Sequence, residues 1–192
     1  MNSNSIRTTK NIVFIGLFAA IVAVLSQLSI PLPTNVPITL QTFAVALAGY
    51  FLGWKKGTIA LVVYVLLGAV GAPVFSGWKG GYTVLTGFTG GFIYGFIIMA
   101  LMCGLGSSLF SSKKISGKVI AVALGIAGLL IDHFCGAVQY AFVAKISLSK
   151  SIWVVSVPFL VKDIISVIAA YLISEELVKR LAKMGAYSAK NA

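Results

Sequence analysis

Six apolar stretches, at residues 12–28, 38–52, 58–70, 88–110, 119–143 and 158–184, run along the chain, each bounded by proline, glycine or lysine clusters. About 20 such residues, coiled as a helix, cross the hydrocarbon core of a bilayer. The 192 residues are 59% hydrophobic and only 10% charged, which leaves more apolar surface than a soluble domain of this length can hide. The pattern predicts an all-α, polytopic membrane protein with six transmembrane helices, forming a single domain over residues 1–192. Two stretches, 38–52 and 58–70, are short for a full span. They are either a re-entrant hairpin with Trp54, Lys55 and Lys56 at its tip or two short, tilted spans, and two lysines at mid-membrane favour the second reading.

Orientation follows from where the lysines and arginines fall. The six-span model places Arg7, Lys10, Lys55, Lys56, Lys113, Lys114, Lys118, Lys179, Arg180, Lys183 and Lys190 on one side, and Lys79, Lys145 and Lys150 on the other. Both termini are then cytoplasmic, with residues 1–11 as a leading segment and 185–192 as a tail. The net charge of +11 becomes a membrane-surface feature that attracts anionic lipid. Its basic residues are scattered over short loops, a poor arrangement for binding nucleic acid. The first stretch follows Arg7 and Lys10 as a signal peptide would, but no polar mature domain comes after it, so it reads as a span.

Only four acidic residues occur, and two of them, Asp132 and Asp163, interrupt apolar stretches. A charge in hydrocarbon costs at least a few kcal/mol unless it faces protein or a cavity, which makes Asp163, with its neighbour Lys162, a candidate site. Asp132, Gly136 and Gln139 share a helical face offering an acid, a gap and an amide. Pro158 suits the first turn of the last helix, and Thr39, Gln41 and Thr42 follow a stiff loop containing Pro31, Pro33 and Pro37. These groups share one depth on the external side, as a site for a small polar ligand would require. The blander readings are a Lys162–Asp163 pair that only snorkels and a structural network around Asp132 and His133. Asp132, His133 and Cys135 are spread around their helix, so no metal site is expected. Glu175 and Glu176 pair at i,i+4 with Lys179 and Arg180 as on a solvated extension, without chemistry.

The segment from Gly71 to Gly91 carries seven glycines among aromatic residues. Such backbone approaches a ligand or another helix closely, and Gly87, Gly91 and Gly95 also repeat on one helical face. Gly16, Ala19, Ala20 and Ala23 form a second small-residue stripe, including Ala19-x-x-x-Ala23, which can pack against another helix of this chain or of a partner. No nucleophile–base pair suggests an enzyme. No Gly-x-x-x-x-Gly-Lys-Ser/Thr loop is present, so ATP-driven transport would draw on partner subunits.

The runs Pro33-Thr34-Asn35-Val36-Pro37-Ile38-Thr39-Leu40-Gln41-Thr42, Gly71-Ala72-Pro73-Val74-Phe75, Thr89-Gly90-Gly91-Phe92 and Pro158-Phe159-Leu160-x-x-Asp163, in that order, resemble the BioY family of biotin-specific substrate-binding (S) components of energy-coupling factor transporters. The resemblance implies a bacterial cell-membrane subunit that binds biotin externally, is not an enzyme and needs no cofactor of its own. Its implied partners are a transmembrane coupling protein, which Ala19 and Ala23 would face, and two ATPases that consume ATP. Under that reading Asp163 accepts N–H bonds from the ureido ring, and Thr39, Gln41 and Gln139 complete the polar set. Tyr82, Phe92, Tyr94 or Tyr140 wall the rings, and Lys79 or the glycine loop around Gly81 meets the carboxylate. The family pattern places lysine three residues after the aspartate, where this chain has Ser166; Lys162 is the candidate substitute. Alternatives are an S component for another vitamin, a structural membrane protein or an intramembrane enzyme.

Overall fold

The structure, a computed structural model, describes residues 3–109 and 115–183. The expected tail at 185–192, with Lys190, and the loop lysines Lys113 and Lys114 lie outside the described residues. Helix α1 (Ser3–Gln27) leads into a two-stranded antiparallel ribbon, β1 (Ser29–Ile30) with β2 (Ile38–Thr39). Then follow α2 (Gln41–Ala69), the single turn α3 (Tyr82–Leu85), α4 (Gly90–Ser107), α5 (Ile115–Ala144), the short α6 (Leu148–Val155) and α7 (Val157–Lys183). Among the described residues five helices are long and apolar enough to cross a membrane: α1, α2, α4, α5 and α7. The proline-rich loop is held shut by the Ser29–Thr39 and Ile30–Ile38 pairs across its base. Pro158 falls in the first turn of α7, where its missing N–H costs nothing.

Within α2 the chain turns back on itself. Gly53 takes φ 79° and ψ 172°, a backbone state that favours glycine and breaks the helix into residues 41–52 and 54–69. A straight helix would separate Gln41 from Tyr64 by about 35 Å, yet the Gln41 amide donates to the Tyr64 hydroxyl at 2.9 Å. Gly57 lies directly against Ala48 and Gly49, so the two halves pack antiparallel. Residues 41–69 therefore form two antiparallel helical segments, with Lys55 and Lys56 just beyond the turn at one end of the bundle. Gly104, near the end of α4, abuts Trp54, and Phe51 stacks on Phe18 of α1 at 5.1 Å. Lys118, early in α5, reaches Glu175, late in α7, at 3.1 Å. The Gly53 turn, the start of α1 and the end of α7 thus share one end of the molecule.

The double-backed α2 occupies the centre, with its broadest contacts to α4, and α4 in turn packs on α5. In lipid the force that joins helices is close van der Waals fit, since the bilayer is as apolar as leucine. Gly91 and Gly95 supply that fit by letting α4 press on α5 at Cys135 and Asp132. The glycine stripe is thus divided: Gly91 and Gly95 form a packing face, and Gly87 lines the cavity described below. The gap expected at Gly136 is not a pocket, because the Phe92 ring fills it. Tyr50, Tyr64, Leu61, Met99 and Leu129 are fully enclosed around these contacts.

Candidate functional site

At the end opposite the Gly53 turn, the starts of α2, α4 and α7 surround a cavity of about 350 Å³. Its polar lining includes Thr39, Gln41 and Thr42 together with Asp132, His133, Lys162 and Asp163, and Asn35, Ser76, Lys79, Thr83 and Thr89 also contribute. Asp163 is its electrostatic centre, a carboxylate 3% exposed. One oxygen meets the Lys162 ammonium, and the other lies 3.3 Å from His133 Nε2. Helical geometry directs the Cα–Cβ bonds of residues 162 and 163 about 100° apart. The lysine stem is long enough to fold back across that angle, and its ammonium also donates to the Thr39 carbonyl at 2.9 Å. Ser166, at the position where the resemblance leads one to expect lysine, turns its hydroxyl onto the Lys162 carbonyl at 2.9 Å and contributes no charge.

The Lys162 contact ties this centre to a bonded series across α2. Thr39 Oγ1 donates to Gln41 Oε1 at 3.1 Å, and Gln41 Nε2 donates to Tyr64 Oη at 2.9 Å. Buried polar groups linked in this way are held in one arrangement, because breaking any link strands a partner without water to replace it. Asp132 Oδ1 and His133 Nδ1 differ: both are buried with no hydrogen-bond partner among the described residues.

Of the expected site residues, Thr39, Gln41, Lys79, Lys162 and Asp163 line the cavity, and Gly81, Tyr82, Tyr94, Gln139 and Tyr140 do not. Gln139 spends its amide on the Leu85 and Gly87 carbonyls at 2.7 and 2.8 Å, fastening the α3 loop to α5. Gly81 bonds through its N–H to Gly68 O at 2.7 Å. Tyr82 is largely exposed, and Tyr140 is packed behind Phe88 at 5.4 Å between ring centres. Tyr94 and Cys135 face a separate apolar hollow on the outside of α4 and α5, so Cys135 does not join Asp132 and His133.

The aromatic wall keeps Phe92 of the expected residues and adds Phe75, Phe88, Phe96 and Phe159 in place of the tyrosines. Three of these were legible as an i,i+4 series, Phe88–Phe92–Phe96, which points away from Tyr94. Phe92 also meets the His133 ring edge-on at 5.8 Å.

The helix-one stripe is divided by the packing, with Gly16 and Ala20 facing outward and Ala19 inward. Ala19 is 4% exposed and packs inside the chain, and Ala23 is half-buried. The outward face of α1 carries Ile12, Gly16, Ala20 and Val24, and nothing lies within 4 Å of a side chain built on Gly16. Of the five long helices α1 is the least enclosed.

Several apolar helices around a charged, aromatic-walled cavity point to the class of multi-pass membrane proteins, with a hollow of small-ligand size. The BioY family model matches residues 1–183. The biotin transporter BioY of Thermotoga maritima is 41% identical over 88% of this chain and 96% of its own length. The BioY2 biotin transporter of Lactococcus lactis subsp. cremoris is 34% identical over 92% and 94%. A crystal structure of the S-component for biotin from an ECF-type ABC transporter superposes with a TM-score of 0.80 at 27% identity, covering 93% of this chain and 95% of that one. The chain belongs to the BioY family.

Proposed function

We propose that this chain is the biotin-binding S component of an energy-coupling factor transporter, a binding subunit and not an enzyme. The observation that carries the reading is the buried Asp163, flanked by Lys162 and His133, at the base of a phenylalanine-walled cavity. Biotin's ureido ring presents two N–H donors and a carbonyl. A carboxylate held beside the Lys162 ammonium and the His133 ring accepts such donors with charge-assisted strength, and Lys162 or Thr42 suits the carbonyl. The thioether ring and alkyl chain fit the phenylalanines. Lys79, on the rim, provides the cation for the biotin carboxylate. A volume of about 350 Å³ is at the small end of ligand sites, in keeping with a vitamin of this size.

In this reading the two halves of α2 each cross the plasma membrane as short spans, giving six in all. The basic end is cytoplasmic, as the lysine count requires. ATP hydrolysis belongs to two partner ATPases, reached through a transmembrane coupling protein that docks on the Gly16–Ala20 face of α1, where small residues allow close approach. Mass spectrometry of purified protein should show retained biotin, and calorimetry should show binding that biotin amide, lacking the carboxylate, only partly reproduces. Retention of a different vitamin, or no biotin binding by folded protein, would overturn the assignment. Ala20→Trp should abolish co-purification of the coupling protein with biotin binding intact. Ala19→Trp should disrupt folding, since that side chain points inward.

A further inference from the structure

The last two residues of α1 give both of their side chains to one turn of the cavity wall. Ser26, fully buried, places Oγ 2.7 Å from the Val74 carbonyl and 2.7 Å from the Ala23 carbonyl of its own helix, the two acceptors sharing its one proton. Gln27 Nε2 lies 2.7 Å from Ser26 Oγ and 3.1 Å from the Ala23 carbonyl within α1, and 3.2 and 3.4 Å from the Phe75 and Val74 carbonyls of the turn, so its two N–H groups are shared between helix and turn; Gln27 Oε1 accepts the Trp78 N–H at 2.8 Å. One amide thus spans both arms of the turn, its nitrogen beside the arm before Ser76 and its oxygen accepting from the arm after Gly77.

The turn needs an outside hold. Its internal bonding is a single antiparallel bridge, Phe75 with Lys79 at 2.9 and 3.2 Å, and a two-stranded element of that size is marginal alone. Trp78 takes φ 57°, a left-handed conformation that a bulky residue disfavours. Yet this turn supplies Phe75, Ser76 and Lys79 to the cavity. The Phe75 ring stands edge-on to Tyr64 at 5.5 Å, against the same tyrosine that anchors Gln41.

We propose that Gln27 is a positioning residue for ligand retention: its amide clamps the 74–79 turn against the cavity, placing Phe75 and Lys79, and thereby sets how slowly bound ligand leaves. The proposal rests on reading the cavity as the biotin site. Gln27 itself lies outside the cavity lining, so its effect passes through the turn.

The test uses the full chain in nanodiscs. Gln27→Met keeps length and volume but removes donor and acceptor. Labelled biotin should dissociate about tenfold faster, as expected for the loss of one or two net hydrogen bonds, with association little changed. Hydrogen exchange of amides 74–79 should rise in the ligand-free variant while α2 and α4 keep wild-type protection. Gln27→Glu, which retains the acceptor for Trp78, should restore protection of that amide and part of the slow release. Ser26→Ala, a smaller change that removes one bond to Val74, should accelerate release less and replaces Gln27→Met if that variant does not fold. An unchanged release rate, or unchanged exchange at 74–79, overturns the proposal, as does exchange that rises equally through α2 and α4. Failure of the wild-type protein to hold biotin would sink the functional reading instead, and exchange in the ligand-free variant would still decide whether Gln27 holds the turn.

Discussion

Two buried carboxylates, one near each end of the bundle, have almost the same immediate neighbours and opposite prospects. Glu175 is 6% exposed between Lys118 at 3.1 Å and Lys179 at 2.9 Å. Asp163 is 3% exposed between Lys162 and His133. The difference lies beyond those contacts. Both lysines around Glu175 are close to half-exposed, so water and salt screen the cluster, and Glu175 lies outside the lining of the cavity. The His133 side chain is almost entirely covered, Lys162 is mostly so, and the cluster opens onto a hollow walled by phenylalanine. A buried acid with cations beside it marks a ligand site only where protein has also left room and excluded water.

The strongest attempt to break this contrast is Asp163→Asn. Replacing a charged acceptor by a neutral amide at a desolvated site should weaken biotin binding by roughly 1.5–3 kcal/mol, with the protein still folded. Glu175→Gln should leave calorimetric affinity unchanged. Equal losses in the two variants would show that both acids act through the fold.

Gly95→Ala sharpens the contrast at the cavity end. Its methyl would meet the Asp132 carboxylate and backbone across the α4–α5 contact. Overpacking of that kind costs about 1–3 kcal/mol, read as a lower thermal midpoint, and displacing Asp132 beside His133 should also weaken biotin binding. Unchanged stability and affinity would mean that the α4–α5 contact is looser than its geometry implies.

At the basic end the effects should be smaller. Glu175→Gln is expected to cost less than about 1 kcal/mol of stability, because its partners are exposed, and the difference from wild type should shrink as salt is raised. A loss of several kcal/mol that persists in high salt would place Glu175 in the same class as Asp163. Gly16→Ala should do least. Nothing lies near the added methyl, and the gain in helix propensity is at most about 1 kcal/mol. Circular dichroism melts would detect a change in either direction.

Much of the site could be read in advance because its polar residues sit in short, distinctive contexts: Thr39 and Gln41 after a stiff proline loop, Lys162 and Asp163 one to two turns into the last helix. The errors fell where side-chain direction mattered. Gln139 shares a helical face with Asp132 and the resemblance implies Tyr94 in the ring wall, but the rotation of α4 and α5 about their own axes sends one amide to the α3 loop and one ring to the outside. Ala19 and Gly16 are equally small, and only the packing of α1 on α2 distinguishes the buried one from the open one.

What the sequence determines by itself is whatever depends on local hydropathy and charge: a membrane protein, the approximate limits of its apolar helices, the basic side, and the presence of an acid that hydrocarbon would not tolerate. Each of these is a property of about 20 consecutive residues and needs no partner segment. The tertiary structure alone decided that α2 reverses at Gly53, that Phe92 fills the space beside Gly136, that Lys162 folds back onto Asp163, and that Gln27 reaches across to the 74–79 turn. Those outcomes depend on which helix faces meet, and close packing in lipid selects the faces by fit between segments distant in the chain.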